Sequence, residues 1–514
     1  MNHTRSLFFV FILLNLVGIL QAELKLPYIL SENMVLQRKC PVNIWGWSDA
    51  GKEVTVSFAG QKQKTTAKKD GFWKLALKPM EASSEGRSMT VEDGQSTLVV
   101  KNILVGEVWH ASGQSNMQWT LMGSTCWEEA RKYPANDQLR LFKQRRNVQK
   151  LASEESYSAN WVMDLGEKDR KFFSTVAYTF ARHLQETLNV PVGMSLAADG
   201  GTKCQYWTPL EAFTTSPKYK DYLDHGIKAR DNFDTMKTTY EKEYAEWLAK
   251  KKAKQKAGFP PKFYARYPAL YYNGNIHPIR HFTFRGALWY QGERNSMTTQ
   301  DAFLYREYLP LMISSWRKAF ANPDLPFYFV QLPKMATHDR RENPITRESQ
   351  MLTAQKMKNV NMIVGVDKGE AGLHPKTKRF LGLRLAAMAL GEQYGHDIEF
   401  RFPLYKSSEV KNGSVVIHFD HAEKGLRSRG DGPLREFTIC GSDHNFLPAQ
   451  AKIEGSTVIV SHPDIKEPVA VRYGWSNDPD VNLVGVNDLP AGPFRTDNFE
   501  LPEKNPTRKY WEQN

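Results

Sequence analysis

Between residues 101 and 395, five apolar runs (ILVGEVW, PVGMSLAA, FRGALWY, PFYFVQL and NMIVGVD) alternate with segments of helical pattern. Short runs with no polar alternation suit strands covered on both faces, and helices between them carry the chain back to start the next strand in the same direction. The expected core is therefore α/β, a parallel sheet flanked by helices. Open sheets of this kind place their ligand sites beyond the carboxyl ends of the strands. The polar residues that follow each run are thus the first candidates for chemistry.

The flanks have a different texture. Residues 23–100 hold the runs PVNIWGW, KEVTVSF, FWKLAL and STLVV, separated by the turns SDAG, AGQK and EDGQ. This spacing predicts an N-terminal β domain of sandwich type. Residues 396–514 return to β texture in SVVIHF, REFTIC, STVIVS and VAVRYGW, a second sandwich-like, β-rich region. Inside the 101–395 block, a helical insertion is expected near 216–262. There Phe233, Met236, Tyr240, Tyr244, Trp247 and Leu248 recur at helical spacing and read as one packing face. The lysine run KKKAKQK (250–256) reads as solvated, and GFPPK as the stop.

With 41% hydrophobic and 24% charged residues the chain has the composition of a folded protein, not of a disordered chain or a polytopic membrane protein. Lys and Arg number 69 against 56 acids, but the excess is spread out and no nucleic-acid motif accompanies it, so no nucleic acid partner is expected. Residues 1–22 read as a signal peptide: Arg5 gives the positive start, Leu7 to Leu20 the apolar run and Ala22 the small residue at the cut. A retained anchor is the alternative, but the run is shorter than the ~20 residues of a spanning helix. The mature protein is expected to be secreted or periplasmic without a membrane span. Cys40, Cys126, Cys204 and Cys440 are too scattered for a disulfide scaffold and lack zinc spacing. His277 and His281 have Pro278 between them, and His418 and His421 end a strand-like run; all four read as structural, and no metal is expected.

Four polar blocks follow the central strands. In GEVWHASGQSNMQW (106–119) a strand enters a glycine turn, and Ser115 stands where a helix begins. That geometry exposes a hydroxyl beside free backbone N–H groups that favour a developing oxyanion; an ordinary capping serine is the alternative. In AADGGTKCQYW (197–207), Gly200 and Gly201 let backbone amides approach a ligand or form a tight turn. In GALWYQGERN (286–295), Gln291 and Asn295 can donate hydrogen bonds and Glu293 can orient an imidazole. In LHPKTKRFLGLRLA (373–386), His374 precedes Pro375, which is favoured at a first helical position, so His374 is expected in a loop at the sheet edge.

These blocks resemble the SGNH hydrolase superfamily, and within it the sialate O-acetylesterase family and related acetylxylan esterases. SGQSNMQW is similar to the family's nucleophile block, WYQGERN to W-Y-Q-G-E-S-N, and HPKTKRFLGLRLA to H-P-x-x-K…G-x-R-L-A. YYNGNI (271–276) is similar to LYNGMI, and VRYGWSNDPDVNLVGVNDLPAGPFRTD to the family's distal β region. The resemblance spans nearly the whole mature chain. It implies an SGNH-type sheet and a serine esterase that removes O-acetyl groups from sugars, with sialate the first choice of substrate. An acetylxylan or other polysaccharide acetylesterase is one alternative, and a carbohydrate-binding protein without catalysis another.

Carried over residue by residue, the resemblance makes Ser115 the nucleophile and its N–H an oxyanion donor. Gly201 and Gln291 become the second and third donors and His374 the base. Asn116, Arg294 and Asn295 become substrate contacts, with no cofactor. The acid departs from the pattern. The family usually places Asp three or two residues before the histidine, where this chain has Ala371 and Gly372. Glu293 is the first choice for that role, Glu370 and Asp367 are nearer in sequence, and a Ser–His pair with a backbone carbonyl holding the ring is the remaining option. Arg294 also stands where the family commonly has Ser.

Overall fold

The computed structural model describes residues 23–155, 159–253, 255–258, 261, 267–336 and 341–503. The expected signal segment 1–22 lies outside the described residues. Six parallel strands run in the order Val360–Ile363, Phe327–Val330, Gly286–Tyr290, Thr97–Gly113, Val192–Ala198 and Asn136–Lys143, and Trp161–Asp164 closes the edge antiparallel. Successive side chains of a strand face opposite sides of a sheet. Accordingly Trp109 meets Phe180 of helix Thr175–Leu188 and bonds Tyr394 of helix Arg379–Tyr394, while His110 meets Trp316 of helix Thr299–Ala319. Helices thus cover both faces, which is why the central runs carry no polar alternation.

The strand Thr97–Gly113 is shared. Its first part pairs antiparallel with Ser83–Glu92 of the N-terminal β layer, and its last part lies at the centre of the parallel sheet. It ends at Gly113, which adopts φ +143; a Cβ there would lie 2.2 Å from the Tyr290 carbonyl oxygen. Only glycine lets the strand pass this close to its neighbour and turn into Ser115.

Beyond the central unit lie two four-stranded antiparallel sheets, one containing Ser414–Asp420 and the other Ala470–Tyr473. Asp367, its side chain buried, ties the residue after strand Leu426–Ser428 to the core, accepting from both terminal Arg384 nitrogens (2.7 and 2.8 Å) and from Arg429 (2.9 Å). All four cysteines are unpaired. His277 faces Glu154, and His281 packs against Trp45 and Phe72. His418 lies 3.6 Å from Glu409. Among the described residues no helix is long and apolar enough to cross a membrane.

Two local expectations change. Helix Phe233–Lys252 buries Phe233 and packs Met236 and Tyr240 on the core, but Tyr244 and Leu248 are exposed, because the helix runs on past the body of the protein. The packing-face reading holds for its first half alone. The helix ends at Lys252, with Lys250, Lys251 and Lys252 exposed; residues 254, 259, 260 and 262 lie outside the described residues. Pro375 also does not start a helix. The helix begins at Arg379, so His374 sits on a longer loop than the sequence suggests.

Candidate functional site

Ser115 opens a helix of a single turn, Ser115–Gln118, so its help for an anion comes from the free N–H groups of that turn and not from a long helix dipole. His374, on the loop before helix Arg379–Tyr394, places Nε2 at 2.9 Å from Ser115 Oγ. The imidazole stacks on Trp119, ring centroids 5.5 Å apart and planes 23° from parallel. Residues 259 apart in sequence therefore meet at the carboxyl end of the sheet. Burial, and then the charges of Lys378 and Arg341, hold the His374 pKa below its ordinary 6.5.

Beneath this pair lies a buried polar cluster. Asn116 Nδ2 donates to Glu293 Oε1 and, over 3.0 Å, to the Leu373 carbonyl. Asn116 Oδ1 accepts from Lys378 Nζ at 2.5 Å. Asn116 and Lys378 are fully buried, and Glu293 nearly so. Burial raises the Glu293 pKa and pulls that of Lys378 down to about 7. Lys378 Nζ also sits between the Trp119 and Tyr290 rings, 5.8 and 5.5 Å from their centroids.

None of the three expected acids bonds the imidazole. Glu293 is bound to Asn116, and among the described residues its Oε2 accepts from no other residue. Glu370 accepts from Thr377 N and Oγ1 (3.0 and 2.9 Å), and Asp367 is taken by its two arginines. The one hydrogen bond of the ring among the described residues runs through Nε2 to Ser115.

The glycine turn sits close to the serine: a Cβ on Gly200 would lie 3.3 Å from Ser115 Cβ. Gly200 N–H donates to Gln118 Oε1 at 3.2 Å, while exposed Gly201 adopts φ +73. Gln291 and Asn295 differ from expectation. Gln291 Nε2 donates to the Thr202 carbonyl (3.0 Å) and Asn295 Oδ1 (2.9 Å), so both amide hydrogens are committed inside the protein and none is left for an oxyanion. Asn295 is fully buried, donating to Gln205 and Asp301 and accepting from Cys204 N. It holds the loop and cannot touch substrate. Asn116 is likewise enclosed, so it is no substrate contact either. Arg294 is half-buried, and its backbone N–H donates to Gln114 Oε1 at 3.3 Å.

Sequence reasoning assigned nothing to Trp119 or Lys378, although each ends a quoted motif, SGQSNMQW and H-P-x-x-K. Among the described residues no group of three or more His, Cys, Asp or Glu side chains gathers as a metal site would.

Residues 267–391 match the family described as carbohydrate esterase, sialic acid-specific acetylesterase. The sialate O-acetylesterase of Rattus norvegicus is 28% identical over 515 residues, covering 90% of this chain and 92% of the rat protein. That of Homo sapiens is 26% identical over 499 residues, covering 88% and 87%. The crystal structure of a carbohydrate acetylesterase from Xanthomonas citri superposes with a TM-score of 0.79 at 30% identity, covering 93% of this chain and all of that one. With the fold, about nine-tenths of the chain length and the motif blocks in agreement, the chain belongs to the sialate O-acetylesterase family of carbohydrate esterases and is a carboxylic ester hydrolase.

Proposed function

We propose that this protein removes O-acetyl groups from sugars through an acetyl-enzyme formed on Ser115, with His374 as base and no carboxylate on the ring. The 2.9 Å contact between Ser115 Oγ and His374 Nε2 carries this reading. As Oγ attacks the acetyl carbonyl carbon, its proton passes to Nε2 and the carbonyl π pair moves onto oxygen. The N–H groups of Ser115 and Gly201 receive that oxyanion. Collapse expels the sugar oxygen, which takes the proton from His374 and leaves acetyl on Ser115. Water then adds in the same way, giving its proton to His374. The second collapse breaks the Ser115–acetyl bond, releases acetate and returns the proton to Oγ. A low pKa suits the base, since His374 is then neutral at neutral pH.

Sialate, a carboxylate-bearing sugar, is the favoured substrate. Cationic Arg341 acts on the base, and Arg146 lies beyond the glycine turn, held by Asp199 at 3.2 Å. The names of the mammalian relatives point the same way. The leader-like residues 1–22 support export of the chain. Acetate release from 9-O-acetyl sialic acid, acetylated xylan and acetylated pectin tests the substrate. Preference for the sialate supports this reading; acetate from xylan alone replaces it with a polysaccharide esterase.

A further inference from the structure

We propose that Lys378 is a positioning residue of this esterase: by fixing the Asn116 amide it sets the approach of Ser115 to His374. The proposal rests on the Ser115–His374 reading above. Below its pKa of about 7 the Lys378 ammonium is a donor only, so Nζ at 2.5 Å forces Asn116 Oδ1 to face it. The amide nitrogen must then face Glu293 and the Leu373 carbonyl. Asn116 follows Ser115 in the chain and Leu373 precedes His374, so this one amide ties the serine turn to the histidine loop. Lys378 also packs on Trp119, the ring against which His374 stacks. Without Lys378 the amide can rotate, and the buried Glu293 carboxylate loses the larger of the two cationic charges that act on it, Arg341 being the other.

The charged groups around the imidazole come from several elements. Lys378 and Glu370 lie on its own loop, Glu293 follows strand Gly286–Tyr290, and Arg341 precedes helix Asn343–Lys356. Removing the Lys378 charge takes a cation from beside His374 and leaves Glu293 with less positive charge to offset it. Both changes raise the pKa of the base.

The test compares p-nitrophenyl acetate hydrolysis across pH for the full chain, Lys378→Arg, Lys378→Met, Glu293→Gln and the Glu293→Gln/Lys378→Met double variant, with Ser115→Ala as control. A misplacement of this kind costs up to about 10²-fold. Lys378→Met should therefore lower kcat roughly 10- to 100-fold with little change in KM. The acidic limb of kcat/KM should move to higher pH by about half a unit or more. Lys378→Arg, which keeps the charge, should leave the limb in place. The double variant has no uncompensated buried charge, and it covers the case in which Lys378→Met does not fold; it should remain roughly tenfold or more below Glu293→Gln. A folded Lys378→Met with wild-type kcat and an unmoved limb, or a double variant equal to Glu293→Gln, overturns the proposal. Activity retained in Ser115→Ala would instead overturn the serine reading, and this proposal with it.

Discussion

Asn116 Nδ2 donates to the Leu373 carbonyl over 3.0 Å, joining the residue after Ser115 to the residue before His374. The serine turn and the histidine loop come from opposite ends of the central block and share no strand, so this bond and the cluster beneath it decide whether the two side chains meet.

Because Asp367 and Glu293 do different jobs, their amide variants should separate. Asp367 joins helix Arg379–Tyr394 to the C-terminal β region through Arg384 and Arg429. Asp367→Asn leaves the buried Arg384 guanidinium short of its counter-charge, which costs about 3–5 kcal/mol, while half-buried Arg429 keeps Asp488 at 3.1 Å. It should lower the melting temperature while sparing kcat. Glu293→Gln should do the reverse, lowering kcat by about tenfold, well short of the ~10⁴-fold typical when a triad acid bonded to the ring is neutralised. Thermal melts and turnover measured on the same preparations check both.

The base should work below the ordinary histidine range. Burial, Lys378 and Arg341 hold the His374 pKa below 6.5, so the neutral, proton-accepting form persists below that pH. The acidic limb of kcat/KM should therefore fall below pH 6.5. A pH–rate profile with its limb above 6.5 would place a ring-bound carboxylate back in the mechanism.

Acid should weaken the fold through His110. Its ring lies wholly inside the protein, Nδ1 at 3.1 Å from Ser195 Oγ, and burial pulls its pKa down to about 3. In the unfolded chain it titrates near 6.5, so the unfolded state binds the extra proton first. Stability from this group is complete above pH 6.5 and is lost as pH falls toward 3, by about 2 kcal/mol at pH 5. The melting temperature should drop across that window, and His110→Asn should flatten the drop.

The parallel sheet was legible because strands covered on both faces leave apolar runs without alternation, as Gly286–Tyr290 does with every residue buried. The meeting of Ser115 and His374 was legible because both follow such runs in one sheet. The amides were not. Gln291 and Asn295 look like donors at a strand end, but whether an amide faces a cleft or the interior depends on partners far off in sequence, here Thr202, Gln205 and Asp301. The absence of Asp near His374 was visible, while the route taken by Glu293 was not, because it runs through Asn116, a residue that sequence reasoning had turned toward substrate. The half-exposed stripe of Phe233–Lys252 shows the same limit: periodicity gives a face and not the extent of what covers it.

The most direct measurement is acetate release by Ser115→Ala from the substrate the wild-type protein hydrolyses best, with the melting temperature recorded alongside. The Ser115–His374 account predicts a loss of at least roughly 10³-fold with an unchanged melt. Turnover within tenfold of wild type in a folded variant would contradict it.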